Sequence, residues 1–244
     1  MNAPTLRRRW YRTLEVVPAA YCAWNRRHPG RKIVDAHTDL LIEGYPSAAN
    51  TYAREAIGYA NQEIRIASHR HSPAHLRRAL QLDVPVLVLL RPPVESVVSV
   101  LGRFPDLASR SDVATELGDY EHFYRSVLPV ADRVVLSRFE DTTSRLGDVV
   151  RLVNDRFRTS FVPFDDNDPE SKRIVQLKID GWTQHVFGPE SERHRALPSE
   201  QRHAETAGLR AELESPAHVA ARARCEALHD QLAAVAGAQI GDRP

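Results

Sequence analysis

The feature that most constrains the fold of this chain is a segment that is apolar along its whole length. Residues 85–90, Pro-Val-Leu-Val-Leu-Leu, hold no polar side chain, and helical patterns precede and follow them. A strand with one face in solvent alternates polar and apolar residues, so a continuous apolar strand is buried on both faces. Such strands belong to parallel sheets that are covered by helices on both sides. The sequence therefore predicts an α/β protein.

The rest of the chain shows the same alternation of short apolar runs and helical patterns until the acidic turn at residues 164–169. From about residue 168 onward the chain is predicted to be helical throughout, as a C-terminal helical part of the same domain. Strands are predicted at residues 33–45, 63–68, 85–90 and 133–137. Helices are predicted at residues 50–61, Pro73–Gln81, Pro93–Arg103 and 112–128, and where apolar positions recur from Leu146 to Phe157. Helix starts are predicted at Ser72-Pro73, Asp168-Pro169 and Ser215-Pro216, and the last helix has an apolar stripe at Ala221, Cys225, Leu228, Leu232 and Val235.

The first 32 residues form a basic segment of their own. They carry a net charge of +7, whereas residues 33–244 carry −6. Residues 5–28 fit an amphipathic helix, which either packs on the body of the protein or lies on an anionic membrane surface; packing is favoured. We therefore expect a basic helical segment, 1–32, followed by an α/β domain, 33–244. The apolar stripe of the helix consists of Leu14, Val17, Tyr21 and Trp24.

Composition excludes several classes of protein. The 33 basic and 32 acidic residues nearly balance, so nucleic acid is not an expected partner. No apolar run approaches the ~20 residues that span a bilayer. Cys22 and Cys225 are the only cysteines, which gives neither a disulfide framework nor a zinc spacing, and Cys225 falls on a buried stripe. A reducing, cytoplasmic location is expected.

The most informative segment is residues 42–52, Ile-Glu-Gly-Tyr-Pro-Ser-Ala-Ala-Asn-Thr-Tyr, which joins the first strand to its helix. Small residues in its middle let backbone N–H groups approach an anion, and the N-terminus of the following helix adds positive potential. Compared with the P-loop pattern Gly-x-x-x-x-Gly-Lys-Ser/Thr, Ala49 replaces the second glycine, Asn50 the lysine, and Thr51 is retained. Without the lysine, ATPase or kinase chemistry is not expected. The alternative is an ordinary strand-to-helix connection.

A second feature favours phosphate binding. Arg91 follows the apolar strand directly, and Ser99 lies about two turns into the next helix. A guanidinium at the carboxyl end of a strand and a nearby hydroxyl suit a second phosphate. The alternative is a salt bridge from Arg91 to Glu95 or Asp83, with Ser99 on the helix surface.

Together these motifs resemble the P-loop sulfotransferases that use 3′-phosphoadenosine 5′-phosphosulfate (PAPS), in particular bacterial members with a Gly-Tyr-Pro-Arg-Ser-(Gly/Ala)-Asn-Thr turn. The resemblance extends over residues 38–235. It implies a P-loop-type parallel sheet, PAPS as co-substrate, no metal, and transfer of a sulfuryl group to a hydroxyl or amine of a small-molecule, carbohydrate or lipid acceptor. The segment Phe139-Glu140-Asp141 resembles the family's segment after the fourth strand, and residues 197–202 resemble a basic segment that closes over the cofactor.

The resemblance also assigns roles to individual residues. It implies that the turn binds the 5′-phosphosulfate, that Arg91 and Ser99 bind the 3′-phosphate, and that the adenine lies near Tyr52 and Phe139. The implied cofactor-binding residues are Pro46, Ser47, Ala48, Ala49, Asn50, Thr51, Tyr52, Arg91, Ser99, Phe139 and Arg202.

One position departs from the family pattern. Ser47 stands where the family has Lys or Arg, the cation that stabilises charge on the leaving phosphate. Loss of one such charge stabiliser commonly costs ~10²–10³ in rate. Arg54, Arg70 and the N-terminal arginines are candidate substitutes. The alternative function is therefore an impaired nucleotide-binding or interaction protein on the same fold.

The third cluster is Ser-His-Arg-His-Ser-Pro-Ala-His, residues 68–75, after the second strand. The resemblance implies that His69 is the catalytic base, which removes the proton of the acceptor; His71 is the second candidate. A zinc-dependent hydrolase is a less favoured alternative, with His69, His71 and His75 as ligands. The simplest alternative is a polar strand end with solvated histidines.

Overall fold

The computed structural model describes residues 12–28, 32–103, 111–188 and 200–241, without the side chains of 186–187 and 200–205. The strands are β1 (Leu40–Gly44), β2 (Ile66–Ser68), β3 (Val86–Leu90) and β4 (Val135–Arg138). The helices are α1 (Pro18–Arg26), α2 (Asn50–Ala60), α3 (Pro73–Gln81), α4 (Pro93–Arg103), α5 (Val113–Val127), α6 (Phe139–Ser144), α7 (Leu146–Phe157), α8 (Pro169–Phe187), α9 (Glu200–Glu214) and α10 (Val219–Gly241), and a 3₁₀ helix spans Leu128–Arg133.

The described strands form one parallel sheet of four strands in the order β2-β1-β3-β4. Leu41 pairs with both Ala67 of β2 and Val86 of β3. All residues of β1 and β3 are buried. The predicted α/β class, with a parallel sheet flanked by helices, is therefore confirmed.

Successive residues of β3 pack into two different cores. Val86 and Val88 belong to the core that includes α5 and α10, whereas Leu87 and Leu89 belong to the core formed with α2 and α7. Successive strand side chains point to opposite faces, so a strand with a core on each side must be apolar at every position.

The order of the strands creates a crevice at one edge of the sheet. The chain passes from β1 to β2 on one side, then crosses back to place β3 on the other side of β1. Ligands of open α/β sheets bind outside the carboxyl ends of the strands at such a switch point. The turn after β1 begins at this crevice, and Arg91, which follows β3, lies at the same edge of the sheet.

The first strand is shorter than the predicted 33–45. Residues 35–38 form a turn instead, in which the amide of Thr38 donates to the carbonyl of Asp35 at 3.2 Å. The Asp35 carboxylate also accepts from the amide of His37 at 2.9 Å. Aspartate offers its backbone this local alternative to a sheet ladder, and for that reason pairing begins only at Leu40.

Several predicted helix boundaries are confirmed. Helices α3 and α4 have their predicted bounds, and Ser72 and Asp168 accept hydrogen bonds from the first-turn amides of α3 and α8. Ser215 does not start a helix directly, since a turn follows it and α10 begins at Val219. The amide of His218 donates to the Ser215 carbonyl at 3.0 Å, which closes that turn.

The N-terminal helix differs from the prediction. Residues 5–11 of the predicted helix lie outside the described residues, residues 12–14 are helical, and a turn at residues 15–17 separates them from α1. This helix begins at Pro18, whose ring has no N–H to continue the preceding helix. Tyr21 and Cys22 pack into the core, but Val17 and Trp24 of the predicted stripe are exposed. The buried face is thus rotated away from the predicted one, and α1 packs against α3.

The C-terminal helices cover one face of the sheet. Cys225, Leu228 and Leu232 of α10 are buried, as their spacing predicts. Burial raises the pKa of the Cys225 thiol to about 12, so this free cysteine is a core residue. Among the residues that the structure describes, no helix combines the length and apolar composition needed to cross a bilayer. The sequence of residues 186–198, with Gly188, Pro189 and Pro198 among charged residues, predicts a mobile loop, and this segment lies largely outside the described residues.

Candidate functional site

The turn between β1 and α2 has an unusual backbone. Ser47 and Ala49 have φ angles of 69° and 68°, in the left-handed region that residues with a Cβ rarely occupy. Ala49 is the N-cap of α2, and its side chain has no group to accept from the first amides of the helix. Backbone strain of this kind is concentrated at ligand-binding sites. The first turn of α2 is therefore left open to an anion.

Gly44 brings the turn close to β3. A Cβ at this position would lie 2.6 Å from the carbonyl oxygen of Leu89, a backbone atom of the neighbouring strand. Only glycine permits this approach, so β1 ends directly beside the end of β3.

Two buried polar atoms of the turn have no hydrogen-bond partner among the described residues. They are Oγ of Ser47 and Oδ1 of Asn50. The other amide atom of Asn50, Nδ2, donates to the carbonyl of Tyr45 at 3.1 Å and fixes the orientation of the side chain. Buried polar atoms without a partner are costly in a protein that binds nothing there. A polar ligand or an ordered water at the turn would satisfy both atoms.

Arg91 reaches the same turn from the end of β3. Its guanidinium donates to the carbonyl of Ser47 at 2.8 Å, and its Cζ lies 4.5 Å from the ring centroid of Phe139, which follows β4. Burial lowers the pKa of Arg91, against the opposing charge of Glu95. Three strand ends therefore bring Ser47, Arg91 and Phe139 together.

Other predicted binding residues are not joined to this group. Tyr52 contacts Phe164 at a ring-centroid distance of 6.3 Å, and no ring contact links it to Phe139 among the described residues. Burial raises the pKa of the Tyr52 hydroxyl to about 12. Ser99 is half-buried in α4 and makes no described hydrogen bond to Arg91. Arg202 lies in α9, but its side chain is outside the described residues.

His69 lies against the first turn of α2. Its Nε2 is 3.0 Å from Oγ1 of Thr51, and its Nδ1 is 2.8 Å from Oγ of Ser68. Burial, with the electrostatic influence of His71 and of the Arg54 guanidinium, lowers the pKa of His69 to about 3. The imidazole is therefore neutral near pH 7, and its unprotonated nitrogen can accept a proton, as a weaker base than a free histidine.

The residues that follow β2 are held in a strained path by a buried carboxylate. His69 and His71 have φ angles of 62° and 49°. Glu43 of β1 accepts from the backbone amides of Arg70 and His71, both at 2.8 Å. Its other partner is Nδ1 of His75, at 2.7 Å. Glu43 thus fixes the backbone of the segment that carries both candidate bases, His69 and His71.

The hydrogen bonds define the protonation of His75. The amide of Val34 donates to Nε2 of His75 at 2.8 Å, so Nδ1 carries the proton and donates to Glu43. Burial opposes ionisation of Glu43, but the hydrogen bonds from His75 and the amides prevail and hold its pKa at about 2. Sequence analysis did not single out Glu43; an acidic residue inside the apolar run of β1 was the available signal.

His71, the second candidate base, is oriented by the strand end. Its Nδ1 donates to the carbonyl of Gly44 at 2.5 Å, which leaves Nε2 as the acceptor nitrogen of the neutral ring. Burial lowers the pKa of His71, although Glu43 opposes the shift.

The zinc alternative requires three ligands that converge on one point. Both ring nitrogens of His75 already have protein partners, and those of His69 do as well. Within the described ranges no group of three or more His, Cys, Asp or Glu side chains is placed to hold a metal ion. The zinc hypothesis therefore gains no support.

Trp182 of α8 is a site residue that sequence analysis missed. Its ring centroid lies 6.3 Å from that of His69, and the Cζ of Arg54 lies 5.7 Å from the indole ring centroid. Arg54 is mostly buried and pairs with Glu55. One candidate substitute for the missing cation thus lies beside the candidate base.

Comparison of the chain with models of known protein families, with curated proteins and with solved structures gave no match.

Proposed function

We propose that this protein is a PAPS-dependent sulfotransferase whose catalytic base is His69. The observation that carries the proposal is the contact between His69 and Thr51, 3.0 Å apart although they are 18 positions apart in sequence. The resemblance implies that His69 removes the acceptor proton and that Thr51 belongs to the turn that binds the phosphosulfate. In the fold they are neighbours, as in-line transfer requires.

The turn suits the anionic part of the co-substrate. The first amides of α2 have no side-chain cap, and Oγ of Ser47 is a buried hydroxyl without a partner. Both are donors for phosphate or sulfate oxygens. Arg91 uses one N–H on the Ser47 carbonyl, and the remaining donors of its fork suit a second phosphate. Arg91 stacks on the half-buried ring of Phe139, an aromatic side chain of the kind that suits a planar base.

The chemical step follows from the neutral state of His69. The acceptor oxygen or nitrogen forms a bond to sulfur while the bond from sulfur to the 5′-phosphate oxygen breaks. The acceptor proton passes to Nε2 of His69, and adenosine 3′,5′-bisphosphate leaves. Thr51 turns its hydroxyl from His69 to the phosphosulfate, which releases Nε2 for this transfer.

The proposal must account for Ser47 in place of a cation. Arg91 is hydrogen-bonded to the Ser47 carbonyl, so a guanidinium already lies against the turn. Arg54 is a second source of positive charge near His69, since it contributes to the lowered pKa of that ring. Because Arg91 is assigned to the second phosphate, we propose that Arg54 supplies the charge stabilisation that residue 47 lacks.

Calorimetry with adenosine 3′,5′-bisphosphate tests the cofactor assignment. Binding is expected for the wild-type protein and is expected to fall at least ~tenfold in Arg91→Ala, which removes a bidentate cation. Arg138→Ala is the matched control, because Arg138 also ends a strand but pairs with Asp141. No detectable wild-type binding at millimolar ligand would sink the assignment.

The second candidate is a non-catalytic nucleotide-binding protein on the same fold, and Ser47 is the observation that favours it. Sulfuryl transfer to a panel of phenols and sugars, with wild type and Ser47→Arg, separates the two. Wild-type turnover that disappears in a His69 variant supports the enzyme. Turnover only in Ser47→Arg supports the impaired protein.

A further inference from the structure

Helix α1 presents an apolar surface to solvent. Its inner face buries Tyr21, Cys22 and Asn25. On the outside, Val17 is 55% exposed and Trp24 37% exposed, and Val16, just before the helix, is 73% exposed. Val17 and Trp24 are seven positions apart, two helical turns, and therefore share a face.

Arginines flank these apolar side chains. The guanidinium of Arg27 lies 5.5 Å from the ring centroid of Trp24. Arg26 donates to the carbonyl of Val34 at 2.7 Å, and Arg77 of α3 donates to the carbonyl of Glu15. These acceptors are neutral, so they leave the positive charge of both arginines in place.

The one acidic residue of the basic segment is turned inward. Glu15 is only 9% exposed, accepts from the hydroxyl of Ser72 at 2.5 Å and lies 2.9 Å from Nε2 of His122. Helix α1 itself contains no acidic residue. Arg12, further towards the N-terminus, pairs with a carboxylate, Asp119, at 2.8 Å.

The side chains of this surface favour an anionic membrane as its binding partner. Exposed valine and tryptophan beside arginine are the composition that lies in the headgroup region of an anionic bilayer. The sequence before it adds Arg7, Arg8 and Arg9. A second copy of this chain is a poor partner, because a symmetric contact would bring the same arginines together.

We infer that Val16, Val17, Trp24, Arg26 and Arg27 form a docking surface that binds the protein peripherally to anionic membranes. The inference is independent of the proposed sulfotransferase activity. Charge supplies the attraction over distance, and the apolar side chains supply the contact.

Co-sedimentation with vesicles tests the inference on the full chain. The protein is expected to sediment with vesicles of equal phosphatidylglycerol and phosphatidylcholine, to stay in solution with phosphatidylcholine alone, and to be released by high salt. Val17→Ser with Trp24→Gln is expected to weaken binding about tenfold, and Arg26→Gln with Arg27→Gln by a similar factor. The serine stands at the N-cap of α1, a position that favours it, so the helix is retained.

The matched control is Val162→Ser, which removes an equally exposed valine elsewhere on the molecule. It is expected to bind vesicles as wild type does. Absence of wild-type binding to the anionic vesicles would overturn the inference, and so would full binding by the Val17→Ser, Trp24→Gln variant. A dimer in sedimentation velocity that this variant abolishes, without vesicle binding, would assign the surface to self-association.

Discussion

Glu43 and His75 form a pair at the centre of the protein, with Oε1 of Glu43 2.7 Å from Nδ1 of His75 and both side chains fully buried. The pair joins β1 to α3, and the remaining acceptor capacity of Glu43 binds the amides of Arg70 and His71. The segment that carries the candidate base is therefore fixed from inside the core. The position of this segment therefore depends on a residue buried in the core.

Replacing Glu43 tests this dependence. In the wild-type protein both carboxylate oxygens of Glu43 accept hydrogen bonds from N–H groups. In Glu43→Gln one of these oxygens is replaced by an NH₂ group, which is itself a donor, so at least one buried N–H group loses its acceptor. We expect the free energy of unfolding, measured in urea, to fall by about 3 kcal/mol. The control Asp148→Asn breaks an exposed pair with Arg151 and should cost less than about 0.5 kcal/mol. Similar small losses in both variants would contradict a central role for Glu43.

Replacing His69 with asparagine tests whether His69 is the catalytic base. Asparagine is one of the few residues that adopt the left-handed backbone found at this position. Sulfuryl transfer by His69→Asn should fall by roughly 10²–10⁴ in kcat, the usual contribution of a general base, while adenosine 3′,5′-bisphosphate still binds. His71→Asn, also at a left-handed position, is the matched control and should retain most of the activity. The reverse result would assign the base to His71.

The lowered pKa of His69 makes stability depend on pH. The ring has a pKa of about 3 in the folded protein against 6.5 in the unfolded chain. Between pH 3 and pH 6.5 the unfolded state binds more protons than the folded state. The contribution of His69 to the free energy of unfolding is therefore fully present above pH 6.5 and is lost as the pH falls from 6.5 towards 3. Urea denaturation should show a loss of about 2 kcal/mol from this group between pH 7 and pH 5.

His69→Asn removes this titrating ring and should reduce the dependence, leaving the part that the lowered pKa of His71 contributes. Glu43, whose pKa is about 2, loses its stabilising charge only below pH 4.5, outside the measured interval. An unchanged pH dependence in His69→Asn would show that His69 does not titrate as its burial requires.

Two glycines offer a matched pair of substitutions. In Gly44→Ala the new methyl group meets the Leu89 carbonyl at 2.6 Å, so the strands must separate or the turn must move. We expect a loss of at least about 2 kcal/mol in the free energy of unfolding. Gly118 lies in α5 with nothing within 4 Å of an added Cβ, and Gly118→Ala should stabilise the helix by about 0.5–1 kcal/mol. Equal effects in the two variants would contradict the close approach of β1 and β3.

The sequence predicted the elements whose signals are local. The bounds of α3 follow from Ser72 before proline and from an apolar stripe, and the apolar run in β3 required helices on both faces of the sheet. The position of the turn after β1 was predicted in the same way. The predicted first strand was too long and the predicted N-terminal helix is interrupted at residues 15–17, because Asp35 and Pro18 break patterns that periodicity alone would continue.

By itself, the sequence determined that this chain is an α/β protein with small residues in the turn after its first strand. The tertiary structure decided which side chains meet there. The contacts of Thr51 with His69, of Ser47 with Arg91 and of Glu43 with His75 all join residues far apart in the chain. Periodicity and capping act over a few residues, whereas these contacts depend on the order of the strands, which no local pattern specifies.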